Sequence, residues 1–126
     1  MEALRMVLRL NALSCLVFGV IFLIWPGSVA SFLGTAPPLL FTVLGIGLTL
    51  NGAHLILASS RKELKSWEVR YFAAGDFLWA VASLVLIAMG WVVTTPAGIA
   101  AALVVGAGVA GLGAIQLRFL RATQAA

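Results

Sequence analysis

The stretch Leu55-Ile56-Leu57-Ala58-Ser59-Ser60-Arg61-Lys62-Glu63-Leu64-Lys65-Ser66-Trp67-Glu68-Val69-Arg70 decides the fold. It gathers six of the chain's twelve charged side chains, 8 Lys and Arg plus 4 Asp and Glu. On either side lie the apolar runs Leu39 to Ala58 and Val69 to Gly90, each close to the ~20 residues with which a helix crosses ~30 Å of hydrocarbon. Working outward, two more runs of that length follow, Leu4 to Trp25 and Ala97 to Phe119. Barrel strands would be ~9–11 residues of alternating polarity, and these runs are longer and uniformly apolar. Helices satisfy their own backbone hydrogen bonds, as lipid requires. The expectation is an all-α, integral membrane four-helix bundle, one domain over residues 1–126, with helices at 4–25, 39–58, 69–90 and 97–119.

Composition supports this reading. The 126 residues are 63% hydrophobic and 10% charged, against about 45–50% and about 25% in soluble domains. A small soluble fold has too much surface relative to its volume to hide that much apolar area. The net charge of +4 does not point to nucleic acid, because the basic residues sit beside apolar runs and not on a polar helix or an aromatic-studded sheet.

All eight basic residues fall on one side of the four-span layout: Arg5 and Arg9, then Arg61, Lys62, Lys65 and Arg70, then Arg118 and Arg121. The other two connections carry no charge. The positive-inside rule therefore places both termini and the middle loop in the cytoplasm, with the bacterial inner membrane as the expected location. Trp25 and Trp91 mark the outer ends of the first and third spans, and Trp67 and Tyr71 mark the cytoplasmic start of the third. Arg5 and Arg9 ahead of an apolar run imitate a signal peptide, but the run from Leu4 to Trp25 has the length of a full span and reads as a retained helix.

Prolines punctuate the outer loops at Pro26, Pro37, Pro38 and Pro96, with Pro96 suited to the first turn of the last helix. The loop from Ser28 to Gly34 stays apolar and is expected to lie on the membrane surface as a short helical turn. Glycines repeat at a spacing of 61: Gly45, Gly47, Gly52 and Ala53 superpose on Gly106, Gly108, Gly113 and Ala114, as two parallel helix-hairpin repeats would. Gly98, Ala102, Gly106, Ala110 and Ala114 form a small-residue stripe on the last helix. Such a stripe serves close packing within the chain or a seam with a homodimer mate or another membrane protein, and packing within the chain is favoured.

Ionisable residues at membrane depth are functional candidates by default. Asp76 and His54 are two such residues, both expected ~8–10 Å below the cytoplasmic surface in a single layer. Asn11, Ser14, Asn51 and Gln116 come from the same third of the chain's spans. They predict a polar cluster in which Asp76 pairs with His54 or Arg9, acting as a ligand-binding site, a proton relay or a clasp that fixes helix register. The lone His54 and the single Cys15 offer too few ligands for metal or haem, so no cofactor is expected. The apolar stretch mostly follows Cys15, which argues against a lipoprotein cleavage site. No catalytic motif is present, and Gly106-Ala107-Gly108-Val109-Ala110-Gly111, which fits a nucleotide fingerprint, sits in mid-span as a packing feature.

The segment from Asn11 to Phe22 and the run Ala74-Gly75-Asp76-Phe77-Leu78-Trp79 resemble those of small, functionally uncharacterised four-span proteins of the bacterial inner membrane. Small multidrug resistance transporters are similar in size and span count, but they depend on a membrane-embedded glutamate in the first helix. The first span here has no acidic residue after Glu2. The functional expectation is a non-enzymatic accessory or structural membrane protein that binds lipid or a partner protein. The alternative is a small transporter or ligand-binding protein using His54 and Asp76. A transporter needs a cavity and a route across, whereas an accessory protein is expected to have a closed outer half.

Overall fold

The computed structural model of the chain describes residues 2–125, and the side chains of residues 2–123. Five helices follow one another: α1 (Glu2–Ile24), α2 (Pro26–Leu33), α3 (Pro38–Ser60), α4 (Ser66–Met89) and α5 (Pro96–Ala125). Four of them, all but α2, are long and apolar enough to cross a membrane. Among the described residues the only β pairing is an isolated bridge between Gly34 and Val93.

Proline sets three helix starts. Pro26, Pro38 and Pro96 each open a helix at the position where a missing N–H leaves no bond unmade and φ is already helical. Trp25 leaves the helical conformation between α1 and α2 (φ −125°, ψ 53°) and Pro26 opens a new helix, so the surface turn expected around Ser28 to Gly34 is a full eight-residue helix. At the end of α4, Gly90 takes the left-handed conformation, φ 69°. The N–H groups of Gly90 and Trp91 then reach back to Ile87 and Leu86 in a Schellman arrangement that satisfies the last carbonyls.

The long helices associate as two hairpins: α1 packs chiefly on α3, and α4 chiefly on α5. In lipid such contacts depend on close backbone approach. A Cβ added at Gly45 would lie 2.9 Å from the Gly19 carbonyl oxygen, and one at Gly52 would lie 3.2 Å from that of Ala12. The same relation recurs 61 residues later, where Gly106 faces Ala80 and Gly113 faces Ala73. Gly98 and Gly106 of the small-residue stripe thus face neighbours within the chain, Leu33 and Ala80, while Ala114 is exposed.

The hairpins meet at the end that carries the basic residues. There Leu4, Leu8, Ala12, Leu55, Val69, Phe72 and Leu120 form a closed core drawn from all four long helices. At the far end a smaller group, Phe22, Ala30 and Phe41, is buried under α2. The far loops are tied by backbone bonds, Thr94 N–H to Leu33 O at 2.8 Å and Thr35 N–H to Val92 O at 3.2 Å. Consecutive in sequence, α3 and α4 make little backbone contact along their length. Large aliphatic side chains such as Leu50, Leu78 and Val104 point outward, a surface that water would not tolerate and lipid does.

Candidate functional site

Polar residues that the sequence distributes over four helices converge on Asp76 of α4, a side chain only 6% exposed. Asn11 of α1 donates its Nδ2–H to Asp76 Oδ2 at 2.9 Å, and Gln116 of α5 donates Nε2–H to the same oxygen at 3.0 Å. The chain of contacts continues from Asn11 Oδ1 to Cys15 Sγ at 3.7 Å, and from Cys15 Sγ to Asn51 Nδ2 of α3 at 3.5 Å. Every long helix therefore contributes to one polar string. Buried polar groups hold their position because an unmade hydrogen bond in this environment costs about 1–3 kcal/mol. Gln116 meets only half of its capacity, since its Oε1 is enclosed without a partner.

The pairing expected from sequence does not form. Asp76 is bonded neither to His54 nor to Arg9; Arg9 is exposed on α1. His54 Nε2 lies 2.8 Å from Glu68 Oε2, and Arg61 Nη1 donates to Glu68 Oε1 at 2.7 Å. Nor do His54 and Asp76 share a layer. Glu68 precedes Asp76 by eight residues on one helix, ~12 Å along its axis. The Phe72 ring, one helical turn before Asp76, packs edge-on against the His54 ring at 4.8 Å.

Glu68 is not among the residues that the sequence predicts for the site, because a third helix starting at Val69 leaves it in the middle loop. Helix α4 begins at Ser66, three residues before the expected start, and this puts Glu68 in its first turn. An acid there is favoured by the unpaired N–H groups and the helix dipole. It is 2% exposed, between His54 and Arg61. The signal was present as an acid in the first turn after Ser66. Alongside, Arg5 of α1 donates to the backbone oxygens of Ser59, Arg61 and Lys62, capping the C-terminus of α3. Glu68 and Arg5 thus latch α1, α3 and α4 at the basic end.

Between α3 and α4 the structure opens. A crevice of about 620 Å³ is lined by Asn11, Ser14, Cys15, Asn51, Tyr71 and Asp76, with Gly47, Ala74 and Gly75 among its small wall residues. It adjoins a second cavity of about 700 Å³ at the far end, walled by Phe22, Val29, Leu40, Leu86 and Ala101 among others. Phe18, Leu44, Trp79 and Val105 border both. The far half is therefore hollow, in place of the closed half expected of an accessory protein, and its wall is almost wholly apolar. The hollow lies where α3 and α4 make few backbone contacts, and across the bundle Trp79 of α4 stacks on Phe22 of α1 with ring centroids 6.4 Å apart.

Of the sequence-predicted site residues, Asn11, Ser14, Asn51 and Asp76 meet at the crevice, and Gln116 supports Asp76 from behind. His54 and Arg9 stand outside it. No group of three or more His, Cys, Asp or Glu side chains suited to a metal ion occurs among the described residues. Comparison with protein families, with curated proteins and with solved structures finds no match to this chain.

Proposed function

We propose that this chain is a non-enzymatic accessory or structural protein of the bacterial inner membrane that binds lipid between its helices, with both termini and the α3–α4 loop in the cytoplasm. The observation that carries the reading is the hollow between the two hairpins. Its far chamber is lined by alkyl and aromatic side chains, suited to an acyl chain and unsuited to a polar solute. The confinement of all eight basic residues to one end of the bundle supports the orientation.

The hollow meets the need of a transporter for a cavity, but the alternative of a transporter working through His54 and Asp76 loses support because His54 is bonded to Glu68, and Asp76 to Asn11 and Gln116. A partner-protein seam on α5 keeps only part of its stripe, since Gly98 and Gly106 are covered within the chain.

The test is native mass spectrometry of the protein released from bilayer nanodiscs. A retained lipid adduct is expected in the wild type and lost in Ala82→Phe or Ala102→Phe, which fill the far chamber. A bare wild-type protein, or a lipid indifferent to both substitutions, overturns the proposal. Reporter fusions at either terminus that report the outer side would overturn the orientation.

A further inference from the structure

We infer that the crevice between α3 and α4 binds a lipophilic ammonium, its cationic head against Asp76 and its apolar chain in the far chamber. This rests on the lipid-binding reading above and specifies the head-group chemistry. Asp76 is held at membrane depth, 6% exposed, by two neutral amides, and no cationic side chain pairs with it among the described residues. A carboxylate so placed is normally matched by a charge, and here the protein supplies none.

The geometry leaves room for one. Both amides donate to Oδ2, so Oδ1 has no donor among the described residues. It is not enclosed in the way that Gln116 Oε1 is, and Asp76 is one of the residues that line the crevice. The same crevice wall carries the Ser14 hydroxyl, the Asn51 amide and the half-exposed Tyr71, groups suited to an N–H-bearing cation. An anionic head would bring a second negative charge against the carboxylate, and a neutral hydroxyl could offer it only one uncharged donor. From Asp76 to the level of Leu86 is ten residues, ~15 Å of helix, a distance that an extended dodecyl chain covers. Entry from the bilayer is lateral: Cβ atoms added at Gly47 and Gly75, on facing walls, would meet nothing within 4 Å.

Three probes of equal chain length separate the possibilities: dodecylammonium, dodecanol and laurate, titrated against the protein in nanodiscs and read by native mass spectrometry. Dodecylammonium is expected to bind one per chain, tighter than either of the others by about tenfold, the worth of a charge-assisted hydrogen bond. Asp76→Asn should bring the amine down to the alcohol while the co-purified lipid remains. Gly47→Leu and Gly75→Leu, which leave Asp76 and its amides in place, should weaken all three probes. Laurate binding as tightly as the amine in the wild-type protein overturns the proposal without recourse to any variant, and so does an amine affinity unmoved by Asp76→Asn. If lipid is retained but no amine binds, the head-group assignment alone fails. If neither binds, the lipid-binding reading falls with it.

Discussion

The two hairpins repeat the same seam at different tightness. In the first, a methyl placed on Gly45 would run into the Gly19 carbonyl at 2.9 Å; in the second, the equivalent methyl on Gly106 would reach Ala80 Cα at 3.9 Å, an ordinary contact. At the other repeated contact the difference narrows, with 3.2 Å from Gly52 to Ala12 O and 3.3 Å from Gly113 to Ala73 O. The hairpins thus agree near the basic end and part toward the far end. Small residues at equal spacing in a sequence need not be equally necessary, because what counts is the backbone they face.

The comparison breaks or sharpens at named positions. The largest effect is expected for Gly45→Ala, where two pieces of backbone must move apart: a loss of about 3 kcal/mol, the upper end for overpacking and visible as a lower melting temperature in detergent. If Gly45→Ala melts with the wild type, the tight seam is wrong. Next comes Asp76→Ala, which strands the amide donors of Asn11 in one hairpin and Gln116 in the other, a loss of about 2 kcal/mol. Asn11→Ala should lower the melting temperature by less, since it removes one donor and leaves Asp76 the other. An equal loss would mean that Gln116 does not hold Asp76. The smallest effects belong to Gly106→Ala, and to Gly47→Ala and Gly108→Ala, the paired positions where nothing lies within 4 Å. These should stay within about 0.5 kcal/mol of wild type or gain slightly from the better helix propensity of alanine. A large loss at Gly47 alone would break the equivalence of the hairpins.

Much of the fold was legible because hydropathy is a local sum. The runs beginning at Leu4, Leu39, Val69 and Ala97 needed no knowledge of their neighbours, and the observed helices begin within three residues of each. The larger departure is at the end of α5, which continues from Phe119 to Ala125. The prolines that open α2, α3 and α5 were equally local signals. The candidate site was legible only as a list. Asn11, Ser14, Asn51, Asp76 and Gln116 do converge, but Asp76 takes amides as partners in place of His54 or Arg9, Glu68 binds His54, and nothing local in the sequence signals the hollow.

The sequence by itself determined how many long apolar helices form and where the charges collect, since both follow from composition and a fixed rise per residue. Tertiary structure alone decided who faces whom. A rotation of one helix by half a turn exchanges a buried neighbour for a lipid-facing one without altering the hydropathy of any run. That rotation is set here by glycine contacts such as Gly19 with Gly45, and by the latch of Glu68 on His54 and Arg61. These set Phe72 against His54, turn Asp76 toward Asn11 and Gln116, and leave α3 and α4 apart along the crevice.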